Sequence, residues 1–292
     1  MARELGADIN KVNGSGSSGR ISEDDVKAFV KKIVLQKVSE PAAAAAVRLP
    51  ALPDLSKWGE IKNEKFSRVR ALISESVSRS WSIVPHVTQF EKADITELEV
   101  LRGQLKIKAV RAGIKLTPLA FVLKACARAI AEFPLFASSL DASGQNLVLK
   151  KYVHLGFAAD TSGGLVVPVI RDVDRKDLFE VARELGALSA KARDGKLTPA
   201  EMQGGVFTVS SLGSIGGTAF TPIINAPEVA ILGVSRAALK PVYQNGSFVP
   251  RLLLPLALSY DHRVIDGAIA VRFTSFLVEA LNEARALTEA LP

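Results

Sequence analysis

Leu256-Ala257-Leu258-Ser259-Tyr260-Asp261-His262-Arg263-Val264-Ile265-Asp266-Gly267 joins two different periodicities. Its apolar first part reads as a strand. Beyond Asp266, the apolar residues Ile269, Phe273, Phe276, Leu277, Ala280, Leu281 and Ala284 recur at spacings of three and four, which predicts a helix. His262 therefore sits on a strand-to-helix loop held at both ends by regular structure, where catalytic side chains concentrate. Imidazole is also the side chain whose proton moves most easily near neutral pH. The plain alternative is a loop histidine beside an aspartate that only caps the helix.

Outward from this stretch the chain alternates strands and helices. Asn245-Gly246 marks a hairpin between 239–244 and 247–258. Strands are expected at 228–235, 205–211, 164–170, 153–159, 146–149 and 86–91, and helices at 177–194 and 96–112. Thr117-Pro118 opens a further helix, a cap residue followed by proline at the first position. Val69, Leu72, Ile73, Val77 and Trp81 describe an amphipathic helix. Strands paired partly through hairpins, with helices interspersed, predict an α/β fold built on one mixed sheet.

Phe207-Thr208-Val209-Ser210-Ser211-Leu212-Gly213-Ser214-Ile215-Gly216-Gly217-Thr218-Ala219-Phe220-Thr221-Pro222 is the second informative stretch. A strand delivers two serines into a glycine-rich turn, where the missing Cβ atoms let backbone pass close to a ligand. The spacing fits neither a nucleotide-binding glycine pattern nor a hydrolase nucleophile elbow.

The N-terminal part is organised differently. Residues 1–36 form a small unit, with Ser22 and Asp25 as a capping-box-like helix start and Val26, Phe29, Val30 and Ile33 as one apolar face. Before it, 13–20 is a glycine-rich loop, readable as a linker or as a phosphate loop lacking the Lys-Ser/Thr ending. Arg3-Glu4-Leu5-Gly6 reads as the end of a helix capped by Gly6, so the chain is expected to begin inside a domain. Residues 37–60, with Pro41, the run Ala42–Ala46, Pro50 and Pro53, read as a semi-stiff tether.

Composition bounds the function. Hydrophobic content of 48% with 23% charge is globular, and the net charge of +7 comes with 30 acids and no aromatic-and-basic stripe, so nucleic acid is not indicated. A single cysteine, Cys126, rules out an internal disulfide and any cysteine-based zinc cluster, and its apolar helical run predicts a buried thiol. His86 and His154 lack an adjacent acid at useful spacing and read as structural, so no metal site is expected. No long uncharged apolar run and no signal-peptide order are visible, and the chain reads as soluble and cytoplasmic.

Taken in order, Phe-Thr-Val-Ser-Ser-Leu-Gly, then Thr-Pro-Ile-Ile-Asn-Ala-Pro-Glu-Val-Ala-Ile-Leu-Gly (221–233), then Ser-Tyr-Asp-His-Arg-Val-Ile-Asp-Gly (259–267) resembles the catalytic domain of the 2-oxo acid dehydrogenase acyltransferases. Gly19-Arg20-Ile21 followed by Glu23-Asp24-Asp25-Val26 resembles that family's peripheral subunit-binding domain. His-x-x-x-Asp-Gly alone is shared with chloramphenicol acetyltransferases, which have no such domain. The resemblance implies a mixed-sheet, chloramphenicol-acetyltransferase-like catalytic domain over 61–292. Within the family, Ser-Ser-Leu-Gly with Gly-Gly-Thr-Ala-Phe-Thr-Pro looks more like the acetyl-transferring branch of pyruvate dehydrogenase complexes than the succinyl or branched-chain branches.

By that resemblance, His262 is the general base on the coenzyme A thiol and Ser210 the oxyanion donor, with Ser211 as the neighbouring alternative. Asp266 is implied to form a buried ion pair with an arginine of the domain's first helix, Arg68 ahead of Arg70. Phe220 and Asn225 are implied to line the coenzyme A channel, and Arg102 and Lys106 are candidates for its phosphates, against a plain solvated helix face. The lipoyl group would come from a lipoyl domain absent from this chain. Residues 1–36 would dock pyruvate dehydrogenase and dihydrolipoamide dehydrogenase, with Arg20 against acidic surfaces. The resemblance implies trimers with the site at the subunit interface, assembled into cubic cores of about 24 chains in many bacteria and into cores of about sixty elsewhere. A non-catalytic scaffold is the rival reading, and the histidine disfavours it.

Overall fold

The computed structural model describes residues 2, 7–16, 19–39 and 51–291, and the chain divides into two units, Met1–Glu64 and Lys65–Pro292. In the first unit a 3-10 turn at Ile9–Lys11 precedes the glycine-rich loop and helix α1 (Glu23–Ser39). The start of α1 is a reciprocal capping box. Asp25 N–H donates to Ser22 Oγ at 3.3 Å and Ser22 N–H to Asp25 Oδ2 at 2.8 Å. The same carboxylate accepts Ser15 N–H at 3.1 Å, tying the loop to the helix. In its described part the loop folds back on itself. Gly16 N–H donates to the Arg20 carbonyl at 3.0 Å, and a Cβ on Gly14 would collide with the Gly19 carbonyl oxygen. The expected helix end at Arg3–Gly6 and the tether residues Pro41, Ala42–Ala46 and Pro50 lie outside the described residues.

The second unit is built on a mixed sheet. Helix α2 (Arg68–Ile83), whose first turn is capped by Ser67 Oγ, leads into β1 (His86–Asp94). Then come α3 (Thr96–Arg111), α4 (Pro118–Glu132) and the small β2–β3 pair (Ser138–Leu140 and Leu147–Leu149). After them follow β4 (Leu155–Phe157), β5 (Val169–Ile170) and α5 (Leu178–Arg193). Strands β6 (Phe207–Ser211), β7 (Ala230–Val234), β8 (Ala238–Gln244) and β9 (Ser247–Asp261) precede α6 (Gly267–Asn282). Among the described residues the main sheet runs β1-β9-β7-β6-β4-β5, with β8 paired to the outer half of β9. Among the described residues only β4–β6 and β6–β7 are parallel.

Strand alternation fixes which side chains meet. Phe207, Val209, Leu232, Leu258 and Tyr260 share the face buried under helices α4 and α6. There Phe273 of α6 stacks on Phe136 at 3.8 Å and meets Phe207 at 5.8 Å. Lys124 is fully buried in α4, and its Nζ donates to the Lys176 carbonyl at 2.6 Å and the Val173 carbonyl at 3.3 Å, pinning the approach to α5. Cys126 is buried, and burial pushes its thiol far up, so it is inert.

Three local readings differ from expectation. The stretch 164–170 pairs as a strand only at Val169–Ile170, with one bridge from Val166 to Ala159, because Gly164 takes φ +122° in a turn closed by Thr161. Strand β2 has three residues, too few for alternation to be visible. The β9 ladder is longer than expected, since β8 holds its outer half and β1 and β7 its inner half. No helix among the described residues is long and apolar enough to cross a membrane.

Candidate active site

The loop expected to carry the chemistry is anchored from both sides. Strand β9 ends with Asp261 opposite His86, and His262 N–H donates to the Pro85 carbonyl at 3.1 Å. Asp261 N–H reaches the Val229 carbonyl at 2.8 Å, and its own carbonyl accepts Val264 and Ile265 N–H at 3.0 and 2.9 Å. His262 is exposed, with its ring 5.9 Å from that of Tyr260.

Asp266 does not form the buried ion pair expected with Arg68. It is exposed, it caps α6 by accepting Ile269 N–H at 2.8 Å, and its charge faces Tyr260, whose hydroxyl is raised by burial first and by Asp266 second. Arg68 and Arg70 are both exposed at the start of α2. The reason is local: an aspartate one residue ahead of a helix satisfies an orphan N–H there at no desolvation cost. A different pair shapes the loop. Asp261, 2% exposed, accepts Arg263 Nη2 at 2.6 Å, Nε at 2.9 Å and the Arg263 backbone N–H at 3.0 Å. The sequence contained the signal, acid and base flanking the histidine at i and i+2.

Ser210 lies on β6 opposite Gly233 of β7, half-buried, and its hydroxyl has no hydrogen-bond partner among the described residues. Alternation puts Ser210 and Thr208 on the sheet face opposite the aromatic core, and Ser211 on the other. Phe220 joins Ser210 on that face: its ring occupies the space of the missing Gly233 Cβ, which would lie 2.8 Å from Cζ. Asn225 lines a cavity of about 150 Å³ with Thr208, Ile231 and, from α2, Ile73 and Ser80. Phe220 and Asn225 both belong to the loop 212–229. Parallel strands usually need a crossover helix, but this connection has none, and long irregular loops of that kind are commonly functional.

Arg102 is not brought to this region. Its guanidinium is committed to Glu99, at 2.7 Å from Nη2 to Oε2, and to the Leu116 carbonyl at 3.3 Å. Helix α3 follows the end of β1 that pairs with Leu253, the far end of the ladder from His262. Lys106 is exposed on the same helix.

His86 and His154 are both bonded into the fold, although His154 does have an acid beside it, Asp172 Oδ1 at 3.6 Å from Nδ1, against the sequence expectation. His86 Nδ1 meets the Val84 carbonyl at 2.8 Å and Nε2 accepts Ile224 N–H at 3.0 Å, so both ring nitrogens are used. His154 Nδ1 accepts Asp172 N–H at 3.0 Å, and burial holds its basicity down. No group of three or more potential metal ligands is found among the described residues.

Glu228 was not anticipated. It is 5% exposed, and burial pushes its carboxyl from 4.5 up to about 7, against the opposing pull of Thr208, Lys150 and Asn225. A raised carboxyl favours the fold fully below pH 4.5 and loses that contribution as pH rises through about 7. Glu228→Gln is therefore expected to gain on the wild type between pH 5 and pH 8, by on the order of 3 kcal/mol. Thermal unfolding of both proteins across that range checks this, and a difference independent of pH would contradict it.

Within the chain, Ser210 and His262 do not meet. Ser210 is level with Gly233, and Gly233 with Ala257, five residues short of His262. Strand rise and spacing then separate them by roughly 19 Å. The apolar stripe of α2 is also left uncovered, with Leu72 58% and Trp81 65% exposed.

Comparison with known proteins gives two matching family models. The 2-oxoacid dehydrogenases acyltransferase (catalytic domain) model matches residues 59–288, and the e3 binding domain model matches residues 1–27. The dihydrolipoyllysine-residue acetyltransferase component of the Pseudomonas aeruginosa pyruvate dehydrogenase complex is 52% identical over 290 residues, 98% of this chain and 53% of that protein. The chain spans about half the length of the curated relatives it matches. A crystal structure of Azotobacter vinelandii dihydrolipoamide acetyltransferase superposes with a TM-score of 0.80 at 56% identity, covering 82% of this chain and 99% of that one. That study concerns the catalytic roles of a serine, a histidine 52 residues on and an asparagine four further. The cubic core of a pyruvate dehydrogenase multienzyme complex matches with the same score, identity and coverage.

Proposed function

The chain belongs to the family of 2-oxoacid dehydrogenase acyltransferases, and we propose that it transfers an acetyl group between a dihydrolipoyl thiol and coenzyme A as the core of a pyruvate dehydrogenase complex. The observation that carries this reading is the spacing of Ser210, His262 and Asp266, which equals that of the serine, histidine and asparagine studied in the Azotobacter relative. Asp266 thus stands where the relative has an amide. Its helix-capping role needs only an oxygen acceptor, which either side chain supplies.

The chemistry follows from the side chains. A thiol with pKa near 8.5 is mostly protonated at neutral pH, so attack needs a base. His262 takes the coenzyme A thiol proton as the sulfur bonds to the acetyl carbon, and the carbonyl π pair moves to oxygen. The Ser210 hydroxyl, with no hydrogen-bond partner among the described residues, donates to that oxyanion. Collapse re-forms the carbonyl and breaks the bond to the dihydrolipoyl sulfur, which receives the proton back from His262. No residue is acylated, so both substrates are bound together, with Phe220 and Asn225 along the channel.

Base and oxyanion donor must both reach one reacting carbonyl, within about 3 Å of the atoms they serve. The roughly 19 Å between them in one chain supports a site completed by a second copy. The exposed stripe of α2 supports the same reading, since subunit interfaces bury such surface. A trimer assembled into a cubic core of about 24 copies is the arrangement we favour. Residues 1–36 would dock pyruvate dehydrogenase and dihydrolipoamide dehydrogenase, and the lipoyl group would arrive on a lipoyl domain.

The direct test is acyl transfer from acetyl-, succinyl- and branched-chain acyl-coenzyme A to free dihydrolipoamide. Acetyl transfer should dominate. Dominant succinyl or branched-chain transfer would move the chain to another branch, and none at all in an assembled protein would make it a scaffold.

A further inference from the structure

We propose that Asp261 and Arg263 are a positioning pair that fixes the His262 backbone and cancels the field of a lone charge at its imidazole. This rests on the reading of His262 as the base. The carboxylate of Asp261 grips the residue two ahead in two ways at once: the Arg263 backbone N–H at 3.0 Å, and the guanidinium through Nε at 2.9 Å and Nη2 at 2.6 Å. The residue between them is His262. With its N–H on the Pro85 carbonyl and the Asp261 carbonyl taking Val264 and Ile265, the turn has little freedom left.

The burial is asymmetric. The Asp261 side chain is 3% exposed and that of Arg263 is 41% exposed. The carboxylate therefore depends on the guanidinium, and removing Arg263 strands a buried charge one residue from the imidazole. The other charged or titratable groups near the pair are Asp266 and Tyr260, which face each other, and His86, opposite Asp261 in the ladder. Arg79 and Glu228 line with the pair a cavity of about 270 Å³. None of these ion-pairs with Asp261 among the described residues, so none substitutes for Arg263.

Two effects follow. Loss of the grip misplaces the base, and a displacement of about 1 Å can cost on the order of 10²-fold in rate. Loss of one charge alone also biases the imidazole: a bare carboxylate favours its protonated form, a bare guanidinium the neutral one.

The experiment is a double-mutant cycle on the assembled protein, recording kcat, KM for coenzyme A and the pH profile of kcat/KM. Arg263→Gln is expected to lower kcat by about 10–100-fold with KM nearly unchanged, and to move the acid limb to higher pH. Asp261→Asn should move that limb to lower pH, and the double variant should return it. Arg263→Lys keeps the charge and loses the fork, so its limb should stay at the wild-type position while kcat falls part-way, which holds even if Arg263→Gln fails to assemble. A wild-type rate and profile in Arg263→Gln, or single and double variants sharing one profile, overturns the pairing. Full activity in His262→Ala would instead overturn the reading of the base beneath it.

Discussion

Replacement of His262 by alanine is expected to lower acetyl-transfer turnover by about 10²–10⁴-fold in a protein that still assembles. The reaction exchanges one thioester for another, so its thermodynamics offer little help, and the barrier lies in generating a sulfur nucleophile from a protonated thiol. Without the imidazole, attack depends on the small thiolate fraction present in solution, and the departing sulfur must leave without a proton. The loss should therefore shrink as pH rises toward the thiol's own ionisation, near 8.5, because hydroxide then does what the histidine did. KM for coenzyme A should change little, since the imidazole acts on the reacting proton rather than on the bulk of the substrate. The fold of the chain should survive, because the His262 side chain is exposed and its backbone N–H, which the alanine keeps, holds it to the Pro85 carbonyl. A pH-independent loss, or none, would contradict this role.

Ser210→Ala is the second large effect, about 10²–10³-fold in kcat with KM again little changed. The hydroxyl is half-buried on β6 with no hydrogen-bond partner among the described residues, so the alanine deletes no bond that holds the fold. What it removes is a donor aimed at charge that exists only as the tetrahedral intermediate forms. Ser211→Ala supplies the contrast. Alternation turns Ser211 to the opposite face from Phe220, and its loss should leave kcat within a small factor of the wild type. Equal losses at the two positions would contradict the assignment of Ser210.

Much of this was readable from residues alone. The strand-to-helix junction at His262, the hairpin at Asn245-Gly246 and the strand feeding Ser210 into a glycine-rich turn all follow from periodicity and turn chemistry, and each stands where expected. The preference for Ser210 over Ser211 came from resemblance, but register supplies its physical ground, because one face of β6 meets Phe220 and the other meets the core. What failed to read was charge pairing across space. The arginines at 68 and 70 were offered to Asp266, which in fact caps its own helix, while the pair that grips the loop stood either side of the histidine. Arg102 looked available because a sequence does not show that Glu99, one turn back, already holds it. Glu228 was hidden by the apolar run that follows it, since the burial that raises its carboxyl is a tertiary property.

The distance between Ser210 and His262 was invisible for the same reason, and it governs the central claim that one site is made from two copies. The measurement that tests it most directly is activity of a core co-assembled from equal amounts of Ser210→Ala and His262→Ala chains. Each parent alone should be down by more than about 10²-fold. If every site takes its serine from one copy and its histidine from a neighbour, random mixing leaves about a quarter of the sites with both groups, and activity should recover to about that fraction of the wild type. A mixed core no more active than its two parents would contradict a shared site and place both groups within a single chain.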